Sequence, residues 1–350
     1  MVSIVPYGSG HINDTYLATY YDSGSASRYI HQRINHKIFL DPAALMENFV
    51  RITAHIRKVL QETGDSGIER RVLTLVHSRD GRDFAIDDAG NTWRTTRYID
   101  DASTHDFIDS QALAYEAGRC YGEFQSQLLN LDPESLHTTI EDFHNTRHRF
   151  DALLLAAESD PLNRAGNADT EISFAVNRES IVDRLANLNR EGLLPARIAH
   201  NDTKINNLLI DNQSQRGICV TDLDTTMPGL VLHDFGDMVR TATNSAAEDK
   251  PDLDEVHMRI DIFEPLARGY LSTTGTFLTA NEIRQLVFAC QVIVLEIGMR
   301  FLTDYLEGDV YFKTRRKEHN LDRCRVQFKL LTSIEEQREL MEQIVDSIVQ

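Results

Sequence analysis

Across the first hundred residues, polar and apolar positions alternate in short runs that are interrupted once by a helical repeat. Residues 15–21 are rich in Thr and Tyr, residues 28–34 form a second extended run, and Ser23-Gly24-Ser25 supplies the turn between them. Asp41-Pro42 reads as an N-cap followed by proline at the first helical position. Leu45, Phe49, Ile52, Ile56 and Val59 then recur at helical spacing and make one apolar stripe. Residues 72–76, 83–87 and 93–99 return to strand character, with Asp88-Ala89-Gly90-Asn91 as a hairpin turn. The order predicts an antiparallel sheet carrying a single packed helix.

Past residue 100 the period lengthens. Leu113, Ala117, Cys120, Phe124 and Leu128 form a helical stripe, residues 172–188 predict a long helix, and Gly192 marks a turn. A short β element follows. Ile198-Ala199 leads into a loop at His200, and residues 208–210 and 218–220 flank the hairpin turn Asp211-Asn212-Gln213-Ser214. Residues 256–270, 281–306 and 321–349 are helical again. The expected fold class is α+β, with a small antiparallel-sheet lobe over residues 1–100 and a larger, mostly helical lobe over residues 101–350.

Composition narrows the partners. The chain has 350 residues, 41% of them hydrophobic and 26% charged, with a formal net charge of −18. Such a surface repels nucleic-acid phosphates and acidic lipids, so no nucleic-acid or membrane partner is expected. Cys120, Cys219, Cys290 and Cys324 are widely separated and predict reduced thiols rather than a disulfide framework or a metal site. The N-terminus lacks a basic stretch followed by an apolar one, and the apolar run over 287–295 is interrupted by Gln291. A cytoplasmic protein with no obligatory protein partner is the expectation.

The chemistry concentrates in one line, His200-x-Asp202-x-Lys204-x-x-Asn207, followed by Asp222-Leu-Asp224. These are the groups that transfer of a phosphoryl group from a nucleoside triphosphate needs. Asp202, in a loop after a short strand, would take a hydrogen bond from an acceptor hydroxyl. Lys204 would lower the charge on the moving phosphoryl, and Asn207 and Asp222 are oxygen ligands of the kind Mg²⁺ requires. Asp224, two residues on, would point the same way along a strand as a further metal ligand, a group behind the ligands, or a substrate contact. His200 would shape the loop through backbone hydrogen bonds. Asp234-Phe235-Gly236 looks like a metal-binding triplet but opens a helix, so Asp234 is expected to brace the loop instead. Tyr7-Gly8-Ser9-Gly10-His11-Ile12-Asn13 predicts a strand–turn–strand flap over phosphates, with Gly8, Gly10 and Asn13 at its bend. Glu296 and Arg300 are four apart and could pair on a helix, while Arg300 with Tyr311 or Asp309 could edge a sugar pocket.

Taken together, the His200–Asn207 line and Asp222-x-Asp224 resemble the aminoglycoside phosphotransferase and choline kinase superfamily, whose fold is protein-kinase-like. The likeness extends over nearly the whole chain, through Pro6–Leu17, Asp222–Gly229 and Gly298–Asp309. It implies ATP as donor, Mg²⁺ as cofactor and a small-molecule sugar as acceptor, with Asp202 as base, Asn207 and Asp222 on the metal, and Arg300 and Tyr311 on the substrate. Another small-molecule kinase is the alternative, and a nucleotide-binding protein without catalysis is the rival of a different class. By order along the chain, the adenine-binding hinge would run through Arg97-Tyr98-Ile99. In one place the sequence departs from the kinase pattern. Tyr29-Ile-His-Gln-Arg33 lacks the phosphate-anchoring Lys, which leaves Gln32 or Arg33 as its replacement.

Overall fold

A computed structural model of the chain describes residues 2–8, 12–22 and 25–349. Its packing divides the chain into two compact units, Met1–Thr104 with Gln127–Glu141 and Asn207–Pro228, and His105–Ser126 with Asp142–Asn206 and Gly229–Gln350.

The first unit holds a five-stranded antiparallel sheet in the order β1-β2-β3-β5-β4. Its strands are β1 (Ser3–Pro6), β2 (Asp14–Asp22), β3 (Ser25–Arg33), β4 (Ala85–Ile86) and β5 (Thr92–Arg97). β2 and β3 pair from Asp14↔Arg33 to Asp22↔Ser25, as the two extended runs predict; Ser23 and Gly24 of the expected turn lie outside the described residues. The single long helix of the unit is α1 (Pro42–Glu62). The Asp41 side chain accepts from the Ala43 and Ala44 N–H groups at its start. Leu45, Phe49, Ile52 and Ile56 are buried, but Leu60 rather than Val59 completes the stripe.

Two expected strands shrink. Residues 72–76, after the short α2 (Ile68–Arg71), make only the bridge Leu75↔Thr96, and residues 83–87 reduce to β4. Both compete for the one edge of β5 that β3 leaves open, so each takes part of it. The hairpin between β4 and β5 turns on Asp87, whose carboxylate accepts from Ala89 N, Asn91 N and Trp93 Nε1. A second, smaller sheet joins β6 (Ala102–Ser103), β8 (Leu208–Asp211) and β9 (Gly217–Val220) over a core of Ile99, Ala102 and Cys219. The hairpin at Asp211–Ser214 is as expected, with the Asp211 carboxylate accepting from Ser214 N and from Arg70.

The second unit is helical. It contains α3 (Gln111–Gln127), α4 (Thr146–Ser159), α5 (Asp169–Val176), α6 (Glu179–Val182), α7 (Arg184–Arg190), β7 (Arg197–Ala199), α8 (Val231–Thr243), α9 (Ile260–Thr274), α10 (Ala280–Glu307), α11 (His319–Glu336) and α12 (Arg338–Val349). The short β10 (Met227–Gly229) leads into α8. The long helix expected over 172–188 is three short ones, broken at Asn177-Arg178 and Asp183. The last helix is two, divided at Gln337, whose side chain reaches back to the Met258 carbonyl at 2.9 Å. The helix expected to begin at 256 begins at Ile260, because residues 253–255 wind as a 3₁₀ turn.

Helix α10 organises the core. Thr279 and Glu282 close a capping box at its start, and it packs against α4, α8 and α11. At 28 residues it is long and apolar enough to cross a membrane, yet 89% of its apolar window is buried inside the protein. Gly236 of α8 lets the two helices meet, since a Cβ there would stand 2.7 Å from the Ala289 carbonyl oxygen.

Candidate active site

Asp234 builds the loop that follows β7. Its carboxylate, on α8 and 1% exposed, accepts from His200 N at 2.9 Å and Asn201 N at 2.7 Å. Gln125 Nε2 adds a third donor at 2.7 Å, and the Asp234 backbone carbonyl takes the Thr203 hydroxyl at 2.6 Å. Burial raises this carboxyl above its ordinary value despite those donors. The anticipated bracing role is therefore seen, although the side chain makes no cap for its own helix. The expectation for His200 also holds. The ring is fully buried, edge-on to Tyr121 and Phe124, and its Nδ1 accepts from Asp202 N at 3.2 Å.

Bracing puts Asn201 at φ +65°, a left-handed turn that Asn tolerates, and presents Asp202 at the bend. Lys204 Nζ lies 2.7 Å from Asp202 Oδ1, and the Lys204 carbonyl is held by the Tyr121 hydroxyl at 2.6 Å. Burial works against the Asp202 charge, but the Lys204 ammonium outweighs it and holds the carboxyl below its usual range. Reciprocally, burial disfavours the Lys204 charge while Asp202 and Asp237 leave its pKa raised. Asp202 is thus an ionised, half-buried carboxylate beside a cation.

The same loop is supported from α10. Glu296, fully buried, sits 2.7 Å from His144 Nδ1 and accepts the Thr146 hydroxyl at 2.6 Å. His144 Nε2 in turn lies 3.1 Å from the Asn201 carbonyl oxygen. Burial opposes the charge on both, yet their mutual attraction raises the His144 pKa and pulls that of Glu296 down to about 2. The Glu296–Arg300 pair expected from helical spacing does not form, because Glu296 turns inward to His144. Arg300 instead lies among aromatic rings, 5.2 Å from the Phe143 centroid, 5.7 Å from Tyr311 and 5.6 Å from Phe312. The turn bearing Tyr311 is fixed by Asp304, whose carboxylate accepts from Val310 N, Tyr311 N, Phe312 N and Asn320 Nδ2 at 2.7–3.0 Å. Asp309, the other residue considered for that pocket, is taken by Arg164 at 2.7 Å and by Asn320.

In the first unit, Asn207 ends a 3₁₀ turn at the foot of β8. Its carbonyl accepts from Thr221 N at 2.8 Å, so the two ends of the β8–β9 hairpin face each other. Asp222 follows in a left-handed conformation, φ +56°, and residues 223–225 wind as a 3₁₀ helix. Asp222 and Asp224 therefore do not alternate along a strand as expected. The backbone reverses at Asp222 and sends Asp224 inward, where it is 3% exposed and ion-paired with Arg94. Its other oxygen accepts from Asn13 Nδ2 at 2.6 Å. Among the described residues no cluster of three or more His, Cys, Asp or Glu is set to hold a metal ion. The carboxamide of Asn207 and the carboxylate of Asp222 are hard oxygen donors on facing hairpin ends, residues that could hold a divalent cation together with phosphate and water.

The remaining positions fall as follows. Gly8 has φ +79° with open space where a Cβ would stand, and Gly10 lies outside the described residues. Gln32 accepts from Arg94 Nε at 2.9 Å and donates to Thr15, whereas Arg33 pairs with Asp14 at the surface. Arg97 is exposed, Ile99 joins the small core, and Tyr98 packs edge-on to Tyr7 under Arg28. Sequence reasoning missed Arg94, His144 and the role of Asp304.

A sequence model described as the phosphotransferase enzyme family matches residues 3–266. The chain belongs to that family. It is a small-molecule phosphotransferase of the aminoglycoside phosphotransferase and choline kinase superfamily, with alcohol groups as acceptors. Solved structures of similar fold include a microcompartment-associated aminopropanol kinase, 18% identical with a TM-score of 0.61, the match covering 97% of this chain and 93% of that one. Choline kinase from Cryptosporidium parvum Iowa II is 12% identical with a TM-score of 0.56, over 99% of this chain and 92% of that one. An amicoumacin kinase in complex with AMP-PNP, Ca²⁺ and Ami is 13% identical with a TM-score of 0.56, over 95% and 88%. The phosphotransferase thus has the kinase-like fold, an antiparallel-sheet N-lobe and a helical C-lobe.

Proposed function

We propose that this phosphotransferase moves the γ-phosphoryl group of ATP to the anomeric hydroxyl of an N-acetylhexosamine, GlcNAc or GalNAc, giving the sugar 1-phosphate. The observation that carries the reading is Asp202, an ionised carboxylate at the bend of a braced loop with Lys204 beside it. Its carboxylate accepts the anomeric proton as the sugar oxygen attacks phosphorus. The new O–P bond forms in line with the breaking bond to the β,γ-bridging oxygen, whose electron pair leaves with ADP. An anomeric hydroxyl is more acidic than an ordinary alcohol, so a carboxylate of modest basicity suffices. Lys204 offsets charge on the moving group. Asn207 and Asp222 would hold the divalent ion, which when bound neutralises phosphate charge.

The sugar assignment rests on the resemblance of residues 6–17, 200–207, 222–229 and 298–309 to N-acetylhexosamine 1-kinases, together with the side chains on α10 and the turn after it. Arg300 stands among Phe143, Tyr311 and Phe312, a polar and aromatic surface of the kind that binds sugar rings. Gly8, Gly10 and Asn13 would cover the phosphates, and Arg97–Ile99 would meet the adenine. Incubation with ATP, Mg²⁺ and each N-acetylhexosamine, followed by ³¹P detection, should give an anomeric phosphate doublet. Asp202→Asn should abolish it, at a cost in rate of about 10²–10⁴-fold. Phosphate on O6, or on an aminoglycoside or choline only, would overturn the sugar assignment.

A further inference from the structure

The strand expected to anchor phosphate carries no lysine, and the structure offers a cation one strand away. In β3 the register pairs Thr15 with Gln32 and Gln32 with Arg94, so the three share one face of the sheet. His31 belongs to the opposite face, bonded to Thr95, and Arg33 is spent on Asp14 at the surface. Arg94 is 2% exposed, which makes it one of the largest fully buried side chains in the chain. Its Nη1 pairs with Asp224 and its Nε donates to Gln32, which among the described residues leaves the Nη2 amino group for an anion. Where the kinase pattern places a glutamate, α1 brings the Phe49 ring, 5.0 Å from the guanidinium carbon. Glu47 points away to Arg51 and His137.

A buried ion pair adds little stability over apolar residues of the same volume, so its presence asks for another reason. Asp224 supplies one. The residue lies two positions beyond Asp222, and its second oxygen holds Asn13 at the base of the flap, while Asn13 Oδ1 receives the Asn35 N–H. Asn13, Gln32 of β3 and the turn after Asp222 therefore meet at one ion pair, Arg94–Asp224.

We propose that Arg94 does from β5 what lysine does from β3, its guanidinium, locked by Asp224, positioning the triphosphate of the nucleotide and the Asp222 turn. The inference rests on the phosphoryl-transfer reading above. Arg94→Met should lower kcat/KM for ATP by about 100-fold, the scale for loss of one fixed donor, with the acceptor KM nearly unchanged. Arg94→Lys should keep activity within about ten-fold, since lysine retains the charge but not the fork. The decisive variant is Gln32→Lys combined with Arg94→Met, which moves the cation to the facing position on β3. Recovery of about ten-fold or more over Arg94→Met is expected, and a purely structural pair would show none. Thermal shift with ATP and Mg²⁺, independent of turnover, separates the two readings. A wild-type protein that neither binds ATP nor transfers phosphate overturns the function. An active wild type matched by Arg94→Met in kcat and in KM for ATP overturns only the role of Arg94. If Arg94→Met does not fold, a folded Arg94→Gln with unaltered kinetics for ATP, or a folded double variant without activity, does the same.

Discussion

Glu296→Gln tests whether the catalytic loop depends on a charge buried in the core. The folded carboxyl stands at about 2 against the usual 4.5, a difference of about 2.5 units. At about 1.4 kcal/mol per unit this is on the order of 3 kcal/mol, the range in which removal of one partner from a buried pair falls. The signs for the two partners differ. Glu296, with its depressed pKa, contributes stability above the unfolded value and loses it as pH falls toward about 2. His144, with its raised pKa, contributes fully below about 6.5 and loses its contribution as pH rises through the folded value. The pair is therefore at full strength between about pH 4.5 and 6.5.

With Gln at 296, burial dominates His144, opposed by the Asn201 carbonyl and Asp237. Its neighbour His233, 4.9 Å away between ring centroids, shows where that leads, since burial drives its pKa down to about 3. Asp237 on α8 is another carboxylate acting on His144. The variant must then fold with a neutral imidazole, so its deficit should grow below pH 6.5 by up to about 1.4 kcal/mol per unit. A neutral ring with its proton on Nδ1 turns the Nε2 lone pair toward the Asn201 carbonyl, 3.1 Å away. That repulsion acts one residue before Asp202, and kcat should fall about ten-fold while KM for ATP stays. Urea denaturation at pH 5.5, 6.5, 7.5 and 8.5, with steady-state kinetics over the same range, measures both. A deficit that does not change with pH, or an unchanged kcat in a destabilised protein, refutes the reasoning.

Two other perturbations probe the frame around the loop. Gly236→Ala gains about 1 kcal/mol of helix propensity but drives a Cβ to 2.7 Å from the Ala289 carbonyl and 2.9 Å from Ile293. Overpacking at about 1–3 kcal/mol should win, and a denaturation midpoint at or above wild type would show that α8 and α10 can part. Asp304→Ala frees three backbone N–H groups of residues 310–312. The acceptor KM should rise about ten-fold or more with KM for ATP constant, and an unchanged acceptor KM would remove Tyr311 from the substrate surface.

The groups legible in the sequence were those whose spacing the chemistry itself dictates. His200, Asp202, Lys204 and Asn207 lie within eight consecutive positions of one loop, where the chain has little freedom to separate them. Extended runs and helical periods likewise located β2, β3, α1, α3 and α10. Asp222-Leu-Asp224 misled because alternation presumes a strand, and the backbone at Asp222 is left-handed. Such a conformation costs on the order of 1–3 kcal/mol and tends to mark a working site, so the local rule failed where function has a claim on the geometry.

Arg94 was invisible for a different reason. In Thr92-Trp-Arg-Thr-Thr-Arg97 both faces carry polar residues, so hydrophobic contrast cannot say which face turns inward, and the buried one proves to be Thr92, Arg94 and Thr96. The partner that makes burial tolerable lies 130 residues away, as the partner of His144 lies 152 away. An unpaired charge in the interior costs several kcal/mol, so each of these residues is inside only because a distant counter-charge is also inside. Neither residue of such a pair has a local reason to be buried, and no window along the chain contains both. That makes the converse usable: in a strand with polar residues in both phases, an arginine flanked at i±2 by threonines calls for a carboxylate elsewhere that is as buried as itself. For this chain the argument requires Asp224→Asn to lose as much nucleotide affinity as Arg94→Met, and an Asp224→Asn protein with full affinity would break the link between the two.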